Sequence, residues 1–146
     1  MTAPPYLDTG ALAKWFFVEP KSDEFEKFVQ KAGRGAVSTL TGLELRCLAY
    51  RRLRAGEIDQ SYLTDAFSML DRLVQDAILI VHPVEDTEFV EASSLLRRLG
   101  SELTVRTLDL LHLASARAAR AEVFATADRR LALAAEKIGF YVVRFD

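Results

Sequence analysis

The feature that most constrains this chain is an alternation of short apolar runs with longer segments of helical period. Runs at residues 6–7, 36–38, 78–81, 123–125 and 140–143 carry little polar–apolar alternation, as expected of strands covered on both faces. Between them, apolar residues recur every three to four positions over residues 9–18, 22–32, 41–54, 60–77, 86–99, 107–120 and 128–138. Residues 22–32 place Phe25, Phe28, Val29 and Ala32 on one helical face, and residues 60–77 carry a stripe of Leu63, Ala66, Phe67, Leu70, Leu73 and Val74. Residues 107–120 are apolar over most of their surface, which predicts an interior helix. Gly33 and Gly35 bracket a turn, and Gly56 and Gly100 stop helices. Strands alternating with helices predict an α/β fold with a parallel sheet of five strands flanked by about seven helices.

The 146 residues contain no internal repeat and no low-complexity linker, so one domain spanning 1–146 is expected. Half the residues are hydrophobic and 27% are charged, which excludes a disordered chain. One cysteine excludes an intramolecular disulfide, and with two histidines it argues against a Cys/His zinc site. Cys47 alone fits a reducing cytosol. The net charge of −2 excludes a polycation that coats nucleic acid, although the positive charges are 14 Arg against 5 Lys. Guanidinium suits planar contacts with phosphate or carboxylate. No segment reads as a signal peptide, and the most continuous apolar run, 77–81, is far short of a membrane span. The expected location is the cytoplasm.

Parallel sheets place ligand sites beyond the carboxyl ends of their strands, here just after Leu7, Ser38 and Ala125. Four acids meet that criterion. Asp8 follows the first run, Glu44 lies in the first turns of the helix after the second, Asp109 lies in the first turn of the interior helix, and Asp128 follows the fourth run after Thr126. Each has a local explanation. Asp8 and Asp128 are N-cap candidates, Glu44 has capping-box spacing from Thr41, and Asp109 complements a helix dipole. Gathered on one sheet edge, the four would repel unless a cation neutralised them or some stayed protonated. Oxygen-only ligands suit Mg²⁺ or Mn²⁺. Such an ion activates water and stabilises the charge that develops during phosphodiester cleavage.

The segments carrying these acids are Tyr6-Leu7-Asp8-Thr9-Gly10-Ala11-Leu12, Ser38-Thr39-Leu40-Thr41-Gly42-Leu43-Glu44, Leu108-Asp109-Leu110-Leu111-His112-Leu113-Ala114 and Ala125-Thr126-Ala127-Asp128-Arg129-Arg130-Leu131. In this order they resemble the motifs of PIN-domain ribonucleases, most closely the VapC-type toxins of toxin–antitoxin pairs. The resemblance implies a three-layer PIN-like fold and a Mg²⁺- or Mn²⁺-dependent endoribonuclease with Asp8, Glu44, Asp109 and Asp128 as catalytic acids. It implies metal binding by Asp8, Asp109 and Asp128, with Thr9 and Thr126 supporting them. It also implies an RNA substrate, a small antitoxin that blocks the site, and a homodimer. The alternative is an inactive PIN-like module that binds RNA or a protein partner.

Other signals are weaker. Asp8-Thr9-Gly10 matches the aspartic-protease triplet, but those enzymes are all-β and need two such motifs. A DxD phosphatase would need an acid where Gly10 stands. No GxGxxG or P-loop supports a nucleotide cofactor. His112, three residues after Asp109, is expected to be a hydrogen-bonded core histidine rather than a metal ligand. Arg46, Arg129 and Arg130 are candidates for RNA phosphate contacts. Arg51, Arg52 and Arg54 share the helix of Glu44 and equally fit a solvated face.

Overall fold

The computed structural model describes residues 2–146. The strands are β1 (Tyr6–Leu7), β2 (Gly35–Ser38), β3 (Leu79–His82), β4 (Val123–Thr126) and β5 (Tyr141–Arg144). The helices are α1 (Thr9–Phe16), α2 (Ser22–Ala32), α3 (Thr39–Arg54), α4 (Gln60–Gln75), α5 (Asp86–Leu99), α6 (Thr107–Ala118) and α7 (Arg129–Lys137). The strands form one sheet in the order β3-β2-β1-β4-β5, and every pairing is parallel.

The shortest strand holds the centre. Tyr6 and Leu7 point to opposite faces because side chains alternate along a strand, and each is fully buried in a different core. Leu7 joins Val37 and Ala125 beneath α1 to α4. Tyr6 joins Ala36 and Phe124 beneath α5, α6 and α7. The result is a three-layer α/β architecture. As expected for an interior helix, α6 buries Leu110 through Ala116 without a break.

Element ends differ from the sequence expectation where a cap or a left-handed residue decides. Helix α3 begins at Thr39, directly after β2, because Ser38 is its N-cap and the Ser38 N–H donates to Thr41 Oγ1 at 3.1 Å. The box spacing therefore belongs to Ser38 and Thr41, not to Thr41 and Glu44. Helices α4 and α6 end two residues early, before Ala77 (φ 56°) and Arg120 (φ 57°). Neither is a glycine, so no composition signal marks those stops. No helix among the described residues is long and apolar enough to cross a membrane.

The sheet centre tolerates little added volume. A Cβ on Gly35 would lie 2.5 Å from Leu7 Cδ1 and 3.1 Å from its Cγ, and Leu7 has no exposed surface into which to move. Gly35→Ala is expected to destabilise the protein by about 1–3 kcal/mol, read as a lower urea midpoint with an unchanged slope.

Candidate active site

The carboxyl end of the sheet carries a cavity of about 220 Å³ whose lining includes Asp8, Glu44, Asp109 and Asp128. Four separate elements deliver the four acids. Asp8 sits where β1 passes into α1, held in the sheet by its N–H to Ala125 O at 3.0 Å. Asp128 sits where β4 passes into α7, Glu44 lies in the second turn of α3, and Asp109 lies in the first turn of α6.

Three of the acids are anchored by backbone amides at helix starts. Asp8 Oδ1 accepts the Ala11 N–H at 2.7 Å, as the N-cap of α1. Asp128 Oδ1 accepts the Arg130 and Leu131 N–H groups at 2.8 and 3.3 Å. Asp109 Oδ2 accepts the Arg106 N–H at 3.2 Å. Glu44 is held by side chains instead. Its Oε1 accepts the Thr9 hydroxyl at 2.7 Å and lies 2.6 Å from His112 Nε2. In three of the four acids, one oxygen takes every protein hydrogen bond. Among the described residues no protein donor reaches Asp109 Oδ1, Asp128 Oδ2 or Glu44 Oε2.

Asp8 is the most deeply placed acid, only 4% exposed. Burial pushes its carboxyl up to about 6, and the nearby Asp128 adds to the rise. Hydrogen bonds from Thr126 and Ala11, and the charge of His112, offset part of it. The Thr126 hydroxyl donates to Asp8 Oδ2 and accepts the Asp128 N–H at 2.9 Å, so one buried threonine ties both acids to the end of β4. Burial also pushes Glu44 up, but the His112 and Thr9 hydrogen bonds outweigh it and hold Glu44 below the usual carboxylate range. The two hydroxyls thus each contact one acid, Thr9 at Glu44 and Thr126 at Asp8.

The arginines are arranged differently from the acids. Arg46 lies outside the acid-lined cavity, at 3.6 Å from Asp71 and over the Phe67 ring. Arg129 flanks Asp128 but donates its Nε–H to Asp146 at 2.9 Å. Arg130 is exposed at the first turn of α7. Arg52 is engaged by Glu19 and Glu57.

The donor set suits a hard divalent cation. It is made of carboxylate oxygens, with no thiolate and no imidazole nitrogen to spare, which disfavours zinc. Among the described residues no three acidic, histidine or cysteine side chains stand close enough to form a ready-made metal cage.

A five-stranded parallel sheet between helical layers, with acids from four elements at its carboxyl edge, defines the class of fold. Residues 6–137 match the family model described as PIN domain, and the chain belongs to that family. It is 30% identical over 142 residues to Ribonuclease VapC47 of Mycobacterium tuberculosis, covering 92% of each chain. Its fold is similar to that of Mycobacterium tuberculosis VapC20, described as a Sarcin-Ricin loop cleaving toxin. The TM-score is 0.71 at 18% identity over 95% of this chain and 98% of that one. It is also similar to VapBC2 from Rickettsia felis, solved bound to a DNA fragment from their promoter. There the TM-score is 0.69 at 16% identity over 97% of this chain and 98% of that one.

The raised Asp8 pKa has a sign that metal-free stability will report. The folded state keeps the Asp8 proton up to about pH 6, whereas the unfolded chain releases it near 3.8. Stability is therefore lost as pH rises between these values, by about 3 kcal/mol. Urea melts in chelator are expected to show Asp8→Asn gaining on the wild type across this window and holding the gain at neutral pH. Equal melts for the two proteins at every pH would show that Asp8 ionises without strain.

Proposed function

We propose that the protein is a divalent-metal-dependent endoribonuclease that hydrolyses RNA phosphodiester bonds, and that it is the toxin of a toxin–antitoxin pair. The observation that carries this reading is the convergence of Asp8, Glu44, Asp109 and Asp128 on one cavity. Kinship to a protein named as a ribonuclease supports it.

In this reading Asp8, Asp109 and Asp128 hold Mg²⁺ or Mn²⁺, and Glu44 meets it directly or through water. When bound, the ion supplies positive charge to a phosphate oxygen and lowers the pKa of a water molecule. The chain's own residues prepare for that chemistry. Helix-start amides fix one oxygen of Asp109 and one of Asp128, and leave the other without a protein donor. Thr9 and Thr126 hold Glu44 and Asp8 in place. Arg130 and Arg129, beside Asp128, receive backbone phosphates, and Arg46 reaches a more distant part of the strand. A small antitoxin closes the site by placing a basic side chain among the acids, and the toxin acts as a homodimer. The structural likeness to VapBC2 supports the partner.

The test is incubation of purified protein with total RNA, with Mn²⁺ or with chelator, followed by mapping of the cut ends. Cleavage is expected with metal only, and Asp8→Asn and Asp109→Asn are expected to abolish it while keeping the fold. RNA left intact at millimolar Mn²⁺ would favour the inactive binding module instead, and RNA cut equally well by Asp8→Asn would refute the assignment of the catalytic acids. Arg130→Ala is expected to weaken RNA binding evenly across sequences and to reduce the log–log salt slope by about one.

A further inference from the structure

We infer that His112 is a positioning residue, which holds the Glu44 carboxylate in one orientation at the acid-lined cavity. The role rests on the ribonuclease reading for the reaction it serves, but not for the contact itself. Glu44 needs such a holder. The three aspartates are each pinned by a backbone amide at a helix start, whereas Glu44 hangs from the second turn of α3 on a longer side chain with no backbone donor. Among the described residues only Thr9 and His112 fix it, and both act on Oε1.

His112 is well placed for the task. It is 4% exposed. Its ring stands edge-on to Tyr6 at 5.8 Å and 65°, and Nδ1 lies 2.8 Å from the Tyr6 hydroxyl. Tyr6 is itself fully buried, and its hydroxyl donates to Ser38 Oγ at 3.1 Å. Ser38 is the N-cap of α3, the helix that carries Glu44. The contacts therefore close a ring from the start of α3 through β1 and α6 back to α3, and the ring sets where Glu44 Oε1 can sit.

The same geometry excludes a ligand role for the imidazole in this arrangement. A carboxylate only accepts, so the proton of the 2.6 Å contact sits on Nε2. Nδ1 is engaged by Tyr6. Neither nitrogen offers a lone pair to the cavity.

Two measurements on the full chain test the proposal. In proton NMR of the metal-free protein, the His112 Nε2–H is expected downfield of the amide envelope. It should vanish in His112→Gln and His112→Leu and move upfield in Glu44→Gln. Absence of that resonance in the wild type, or its indifference to Glu44→Gln, would overturn the inference whether or not the protein cuts RNA. In Mn²⁺-dependent RNA cleavage, His112→Leu is expected to weaken apparent metal affinity or rate by about 10- to 100-fold, the range for partners that orient metal ligands. His112→Gln, whose amide can donate from the Nε2 position, is expected to stay close to wild type. Equal impairment of both variants at wild-type melting temperature would mean the imidazole itself takes part in the chemistry, and no impairment of His112→Leu would mean Glu44 needs no holder. Either result overturns the proposal. A wild type that leaves RNA intact would instead refute the ribonuclease reading, with the NMR result still deciding whether His112 holds Glu44.

Discussion

A carboxylate buried at the end of the central strand is the constraint around which this structure is organised. Asp8 sits between β2 and β4 by virtue of the strand order. Its own ladder bond to Ala125 locks the end of β1 beside the end of β4. That single register brings Thr126 under the carboxylate and Asp128 to its side. Removing a charge from water is costly unless hydrogen bonds or opposite charge compensate. Two hydrogen bonds serve Asp8, and neither brings positive charge. The charge of His112 offsets part of that cost, and a cation at the cavity would offset more of it.

The remaining acids arrive from both helical layers. Glu44 belongs to α3, in the layer packed on Leu7, while His112 and Asp109 belong to α6, in the layer packed on Tyr6. The His112–Glu44 contact therefore joins the two layers across the end of the sheet. Tyr6 makes this possible because strand alternation turns it away from Leu7 and toward α6. Its hydroxyl lies among Ser38, Thr41 and His112. A polar network in the interior earns its place only when each member is satisfied, and here the closing member, Glu44, is also a wall of the cavity.

The sequence made the fold legible because its two periods are clean. Short strands between longer helices admit few arrangements, and the bounds of α2 and α5 agree with the structure at both ends. The aspartates were legible for a related reason, since β-strand ends and helix starts are marked by their own chemistry. What periodicity could not reveal was contact across more than a helix turn. Thr41 is spaced to box with Glu44, yet it boxes with Ser38 and frees Glu44 for Thr9, 35 residues away. The partner of His112 is 68 residues away and that of Arg129 is 17 residues away. Nothing local in the sequence links those pairs. The expectation of a hydrogen-bonded core histidine was sound, but its partner is an acid of the site.

The helix caps and the candidate metal-binding acids turn out to be the same groups, and the reason is electrostatic. Gathering four carboxylates on one edge is unfavourable unless the surroundings offset their repulsion. A helix N-terminus offers unpaired N–H groups and the positive end of the dipole, and α1, α6 and α7 all present that end to the cavity. Asp128, the N-cap of α7, gives one oxygen to the backbone and keeps the other, and Asp109 does the same from the first turn of α6 by accepting the N–H of the N-cap residue Arg106. An N-cap aspartate in a sequence like this therefore does not count against a site. The cap lowers the cost of keeping the charge there and fixes its direction. Glu44 lies beyond the reach of its own helix start, and two side chains from α1 and α6 take over the task that backbone amides perform for the other three.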